Sequence, residues 1–258
     1  MKKQFFRNYK NLPPEGTDEF RELIREEEAK ILGGVTIDGV DIPGWLYWHL
    51  NHWTIRIDEQ DEYGNDVRVE KNPDLRDNEW LRAQHLEKCK AERKGYIEIG
   101  ARQAGKSEFE GSFFSMNAIM FQNTQNVIVC GNDNDLSLLK DKVDFGLRKL
   151  WKGLAIPRLD KTWRTNQVRL GYKSPDGDDQ IWSYIVIRNA KDGHNTEVAA
   201  GTTAKSFIMD EIGKYSFSSA FKAAEPAFKG KFGWRAIPIL VGCLTAGNKV
   251  FTKEGDLV

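Results

Sequence analysis

A short run of residues has the types and the spacing of a phosphate-binding loop. It fits the pattern GxxxxGK(S/T) at every fixed position and consists of Gly100, Ala101, Arg102, Gln103, Ala104, Gly105, Lys106 and Ser107. In such a loop the glycines let backbone N–H groups approach the phosphates. Lys106 would neutralise the β and γ oxygens, and Ser107 would offer its hydroxyl to Mg²⁺. The run therefore predicts a site for ATP and its metal ion.

An acidic pair further along the chain would supply the second half of that site. The apolar run 207–209 predicts a buried strand, and Asp210 and Glu211 follow it directly. Asp210 would hold Mg²⁺ through water, and Glu211 would polarise the attacking water. Alone, such a pair marks only the end of a strand. Together with the upstream loop, it indicates an enzyme that hydrolyses ATP, not a kinase for a small acceptor.

The elements around these motifs alternate between strands and helices, which indicates a parallel α/β sheet. Apolar patterns predict strands at 95–100, 126–130, 206–209 and 236–241, and helices at 78–92, 107–121 and 134–151. The phosphate loop thus lies between a strand and a helix, as its chemistry requires. Alternating runs on either side of 174–179 predict a hairpin, and a solvated turn explains the three aspartates of this segment better than a metal cluster does.

The first 75 residues predict a small auxiliary subdomain of helical and hairpin structure. An amphipathic pattern indicates a helix over 17–32, and alternating residues indicate a hairpin from 53–58 and 67–70. His49 and His52 lie between them in an aromatic cluster, without a carboxylate or thiol at ligand spacing. We therefore expect core or rim histidines there, not metal ligands.

The charge balance, the cysteines and the apolar runs restrict the partners and the cellular compartment that we expect for the chain. Of its 258 residues, 38 are Lys or Arg and 38 are Asp or Glu, so any nucleic-acid contact must come from a local patch. Cys89, Cys130 and Cys243 are too few and too scattered for a disulfide framework or a four-thiolate zinc site, which favours a reducing cytosol. The longest apolar stretch, 236–241, is far shorter than a bilayer span. We expect a cytoplasmic protein that binds no membrane.

The run 101–107, the hairpin, Gly201 and the run 208–211 resemble the ATPase domain of the large terminase subunit of tailed bacteriophages. The resemblance covers about residues 75–242 and implies a RecA/ASCE-like P-loop fold. It implies a Mg²⁺-dependent motor that packages double-stranded DNA, works with a portal and a small terminase subunit, and forms a homo-oligomeric ring in the infected cell. By the same resemblance, Arg102 would sense or stabilise the γ-phosphate. Ala199 and Ala200 stand where members often carry an arginine, so no role of that arginine is transferred.

The end of the chain departs from that family. After Gly242, the segment 243–258 resembles the first block of inteins: a leading Cys243, a Gly-Asn turn and an alternating strand. This implies the short N-terminal fragment of an atypically split intein, in which the Cys243 thiol attacks the Gly242 carbonyl. A second polypeptide would supply the remaining splicing residues and the family's nuclease domain. The alternative is an ordinary strand-end Cys243 followed by Thr245 as a coupling threonine.

The resulting hypothesis has an auxiliary subdomain at 1–75, an incomplete ATPase core at 76–242 and the intein fragment at 243–258. Because the sheet of this fold normally continues, we expect an unpaired strand edge at 236–241. Two other classes remain open. One is a DNA helicase or other P-loop translocase without a splicing element, and the other is a nucleotide-binding assembly module that does not hydrolyse ATP.

Overall fold

The computed structural model describes residues 12–100, 105–164, 166–189, 204–212, 217–230, 233–234 and 236–243. The helices in these residues are α1 (Asp18–Gly33), α2 (Gly44–Asn51), α3 (Asp77–Glu92), α4 (Lys106–Met120), α5 (Asp133–Lys149) and α6 (Phe217–Phe228). The strands are β1 (Val35–Ile37), β2 (Val40–Ile42), β3 (Ile55–Gln60), β4 (Asp66–Lys71), β5 (Tyr96–Gly100), β6 (Thr124–Cys130), β7 (Gln167–Lys173), β8 (Asp179–Asn189), β9 (Ala204–Met209), β10 (Lys229–Gly230), β11 (Gly233–Trp234) and β12 (Pro238–Cys243).

A central sheet organises the described residues, with six strands in the order β5-β12-β9-β6-β8-β7. Its neighbouring strands are parallel except for the antiparallel hairpin of β7 and β8. This confirms the predicted α/β class and the predicted hairpin. Because parallel strands end at the same edge of a sheet, the ends of β5, β6 and β9 share one edge. The phosphate loop and the acidic pair therefore both start from that edge.

The expectation of an unpaired strand edge at 236–241 is wrong for the described residues. Strand β12 is an interior strand: Ile239 pairs with Tyr96 of β5 on one side and with Ile208 of β9 on the other. Among the described strands of the central sheet, β5 and β7 are the two edge strands, and Ile97 in β5 is 48% exposed. A run of apolar residues predicts a buried strand but not its neighbours, so the pattern could not place the edge.

Hydrophobic cores cover both faces of the sheet. Successive side chains of a strand point to opposite faces, and in β6 Ile128 joins the core under α4 and α5, while Val127 joins the core under α6. On the second face, the rings of Phe207 and Phe228 lie 4.6 Å apart between centroids. The sequence patterns do not predict α6 or the short pair of β10 and β11.

The N-terminal segment contains the predicted helix and the predicted hairpin. Helix α1 begins after Thr17, whose hydroxyl accepts a hydrogen bond from the Phe20 N–H at 3.2 Å, and β3 pairs with β4. The patterns do not predict α2 or the pair of β1 and β2. Every residue of α2 from 45 to 51 is buried, so its apolar residues show no helical stripe.

This segment shares its core with the phosphate-loop helix. Trp48 and Trp53 are fully buried in the cluster that also contains Phe114 of α4. The Trp48 indole N–H donates to the carbonyl of Ser112 in α4 at 3.1 Å. A Cβ atom on Gly146 of α5 would lie 2.1 Å from the ring of Trp53, so that helix and that indole are in direct contact. The domain boundary at residue 75 stays a prediction. No helix in the described part of the chain is long and apolar enough to cross a membrane.

Candidate nucleotide site

The described part of the phosphate loop lies between the end of β5 and the start of α4. Arg102, Gln103 and Ala104 lie outside the described residues. Gly105 has a φ of +75°, a left-handed conformation that glycine adopts without steric cost. The buried Lys106 donates from Nζ to the carbonyl oxygen of Gly100 at 3.0 Å, which brings the ammonium group to the start of the loop. Ser107 is half-buried in the first turn of α4.

The acidic pair lies at the predicted edge of the sheet. The backbone N–H of Asp210 donates to the carbonyl of Val129 at 2.8 Å, so Asp210 continues β9 past its last residue and lies beside the end of β6. Its side chain is 4% exposed. Burial raises the pKa of Asp210, and the charges of Glu211 and Asp135 raise it further.

Glu211 has an unusual backbone conformation. Its φ is +53°, in the left-handed region that a residue other than glycine, asparagine or aspartate rarely adopts. Such strain persists only where the surrounding structure enforces it, and it is concentrated at functional sites. The conformation therefore supports a specific orientation of this residue directly after Asp210.

Helix α4 brings a third carboxyl group to Asp210. Glu110 is completely buried, and its carboxyl lies within hydrogen-bonding reach of the Asp210 carboxyl. No N–H or O–H group of the described residues donates to either oxygen of Glu110. No sequence motif points to this residue. The available signal was an acidic residue three positions after Ser107, followed by a mostly apolar stretch of the same helix.

Helix α3 fixes both ends of the phosphate loop. The guanidinium of Arg82 makes two hydrogen bonds of 2.7 Å to the Glu98 carboxylate of β5, and it lies 4.7 Å above the ring of Phe109 in α4. A Cβ atom on Gly105 would lie 3.6 Å from the Glu79 carboxylate. These contacts connect α3 with the strand before the loop and with the helix after it.

No protein family model matches the chain, and no curated protein sequence matches it. Solved structures do match. A variant of the ATPase domain of the Thermus phage P74-26 large terminase superposes with a TM-score of 0.50 and 17% identity, over 69% of this chain and 68% of that one. The bacteriophage HK97 large terminase superposes with a TM-score of 0.50 and 16% identity, over 68% of this chain and 34% of that one. The chain has the fold of a phage terminase ATPase domain.

The terminase ATPase fold confirms the P-loop α/β class expected from the sequence. Identity at this level establishes the fold alone, and the chain spans about a third of the HK97 protein. The roles predicted for Lys106, Ser107, Asp210 and Glu211 remain predictions. The structure places Lys106 and Ser107 at the start of α4, and Asp210 and Glu211 directly after β9.

The donor groups at this edge of the sheet suit Mg²⁺. Ser107 offers a hydroxyl, and Asp210 and Glu110 offer carboxyl oxygens, which are the ligands that hard cations prefer. The Glu110 oxygens, buried without a donor among the described residues, are the observation that favours a cation here. No group of three or more His, Cys, Asp or Glu in the described ranges has the arrangement of a metal site. A Mg²⁺ ion would thus depend on phosphate oxygens and water for its other ligands.

The two histidines and the aspartates of 174–179 lie where packing and turn formation account for them. His49 and His52 are buried, as expected, and the His52 Nε2 atom lies 3.2 Å from the Glu27 carboxylate. Burial lowers the pKa of His52. The aspartates of 174–179 belong to the predicted turn, closed by a 2.9 Å bond from the Ser174 N–H to the Asp178 carbonyl.

The cysteines divide between described and undescribed side chains. Cys89 and Cys130 are free thiols, and burial raises the pKa of Cys130. The backbone of Cys243 ends β12 and pairs in register with Gly100, but its side chain and the segment 244–258 lie outside the described residues.

Proposed function

We propose that the chain is the ATP-hydrolysing part of a phage DNA-packaging motor. The observation that carries this proposal is a phosphate-loop motif and an acidic Asp-Glu pair at one edge of the sheet of a terminase ATPase fold. The buried lysine at the start of the loop and the strained backbone of Glu211 both support a nucleotide site at this edge.

Each residue has a defined role in this proposal. Loop N–H groups and Lys106 bind the β- and γ-phosphates, and Ser107 and Asp210 hold the metal ion. When bound, Mg²⁺ would neutralise charge that develops on the phosphate oxygens. Glu211 orients a water molecule and accepts its proton during attack on the γ-phosphorus. Arg102 would stabilise the γ-phosphate, a role taken from the resemblance alone.

The partners follow from the same proposal. They are double-stranded DNA, a portal, a small terminase subunit and further copies of the chain in a ring. With a formal net charge of zero, contact with DNA must come from a local basic patch and must weaken with salt.

Steady-state hydrolysis tests the catalytic assignment. Glu211→Gln should keep ATP affinity within about twofold and reduce kcat by at least about a hundredfold, since it removes only the proton acceptor. Glu108→Gln is the control, because this acid of α4 follows the phosphate loop but is paired with Lys142 at 3.2 Å. Parental hydrolysis by Glu211→Gln would contradict the assignment. An absence of any hydrolysis by the parent, with or without DNA, would favour the non-hydrolysing assembly module.

We also propose that Cys243 starts protein splicing, on the sequence pattern of 243–258 alone. Its sulfur attacks the Gly242 carbonyl carbon, a C–S bond replaces the C–N bond, and the released amine takes up the thiol proton. Gly242 is buried in β12, where a Cβ atom would lie 3.3 Å from Ile212. The end of the strand must therefore open before attack, which is a task for a C-terminal partner polypeptide.

Thiol-induced cleavage tests the splicing proposal. In a mixture with a candidate partner that begins with intein blocks, added thiol should release residues 1–242, as seen by intact mass. Cys243→Ala should give no cleavage, whereas Cys89→Ala and Cys130→Ala should cleave as the parent does. Cleavage by Cys243→Ala would return this segment to the reading as an ordinary strand end.

A further inference from the structure

The proposed hydrolysis gives no role to Glu110, although Glu110 lies close to residues that have one. It lies three residues after Ser107, so both side chains project from the same face of α4. Its carboxyl is completely buried and lies within hydrogen-bonding reach of Asp210. Because no donor of the described residues reaches its oxygens, the contact consists of two carboxyl groups facing each other.

The surrounding charges do not neutralise this pair. Glu211 and Asp135 add negative charge near Asp210. The Lys142 ammonium, whose charge lowers the pKa of Glu110, is held by Glu108 at 3.2 Å, and the Arg82 guanidinium of α3 is held by Glu98 at 2.7 Å. Two buried carboxylates in contact repel each other strongly unless a positive charge lies between them. The carboxyl pair therefore requires a further cation, because Arg82 and Lys142 are already paired with other carboxylates.

We propose that Glu110 is a carboxylate of the divalent-cation site, beside Asp210 and Ser107. A divalent ion neutralises both carboxylates at once, and its preference for oxygen ligands fits the donors present. This inference rests on the proposed function, because it uses the same nucleotide site. The competing explanation is a proton shared between the two carboxyls, in which Glu110 only packs beside Asp210.

Binding of Mn²⁺ to the full chain separates these explanations. Mn²⁺ affinity would be measured by electron paramagnetic resonance with a saturating non-hydrolysable ATP analogue. Glu110→Gln keeps the side-chain shape and removes the charge, so Mn²⁺ affinity should fall at least about tenfold. Glu108→Gln, two positions away, should bind Mn²⁺ as the parent does. A second variant, Glu110→Asp, keeps the charge and should lose less affinity than Glu110→Gln.

Analogue binding without metal controls for folding and should be equal in all four proteins. Parental Mn²⁺ affinity in Glu110→Gln would overturn the role of Glu110 and leave the nucleotide site intact. A parent that binds neither the analogue nor Mn²⁺ would overturn the proposed function and this inference together.

Discussion

Buried acidic residues have opposite environments in two regions of the sheet. Beside the hairpin of β7 and β8, Asp160 accepts hydrogen bonds from the Arg169 guanidinium at 2.9 and 2.8 Å and from the Arg169 N–H at 3.1 Å. These bonds lower the pKa of Asp160. At the edge of the sheet where β5 and β9 end, burial raises the pKa of Asp210, and Glu110 has no hydrogen-bond donor among the described residues.

The difference distinguishes a carboxylate that is neutralised within the fold from carboxyl groups that the proposals assign to a metal ion. A buried carboxylate with its own arginine is neutralised within the chain, so it contributes to the free energy of folding. A buried carboxyl without a cation costs folding free energy, and in the proposed function a bound ion would recover that cost. The contrast therefore supports the proposed site on grounds other than the phosphate-loop motif.

The largest expected effect comes from replacing Asp160 and Asp210 by asparagine in two separate variants. Asp160→Asn should lower the free energy of unfolding by about 2–3 kcal/mol, because it removes the charge that accepts hydrogen bonds from Arg169 and leaves that guanidinium with Asp179 alone. Asp210→Asn should raise the stability of the metal-free protein, because it removes an uncompensated buried acid. Urea unfolding in a chelator measures both changes. Changes of the same sign in the two variants would remove the contrast.

The pH dependence should separate the regions as well. Asp210 has a native pKa raised to about 7 against about 3.9 when unfolded, so its stability contribution is full below pH 4 and is lost as pH rises towards 7. The charges of Glu211 and Asp135 contribute to this raised pKa, and the Glu110 carboxyl lies beside Asp210. Relative to the parent, Asp210→Asn should gain stability between pH 5 and 8 in urea unfolding. For Asp160, with its lowered native pKa, the contribution is present above the unfolded pKa and lost as pH falls. A flat difference between the parent and Asp210→Asn would contradict the assignment.

The smallest expected effect is that of breaking an ion pair between two exposed side chains. Asp58 and Arg68 form a 2.9 Å ion pair in the hairpin of β3 and β4, with both side chains largely exposed. Since water and salt screen such a pair, Asp58→Asn should leave the urea midpoint unchanged within error. A loss comparable to that of Asp160→Asn would mean that pairing alone, and not burial, accounts for the contrast.

The parts of the fold that local patterns encode were predictable from the sequence. The strand before Gly100, the helix after it and the acids after Met209 follow from short-range spacing. Helix α2 was not predictable, because burial on all sides leaves no stripe. The position of β12 between β5 and β9 depends on pairing across the chain, which no apolar run specifies.

The candidate site divides in the same way. Lys106, Ser107 and Asp210 belong to motifs whose residue types and spacing predict a phosphate and metal site. Glu110 acquires its significance only when α4 packs against the end of β9, so its place beside Asp210 is a tertiary property. The splicing hypothesis for Cys243 stays a prediction.

Calorimetric titration with a non-hydrolysable ATP analogue tests the central claim that this sheet edge binds a nucleotide with its metal ion. The parent chain should bind about one equivalent in Mg²⁺ and bind more weakly in a chelator. Lys106→Ala should lose binding, because it removes the ammonium group at the start of the loop. Equal affinity in the parent and in Lys106→Ala, or binding indifferent to Mg²⁺, would contradict the account.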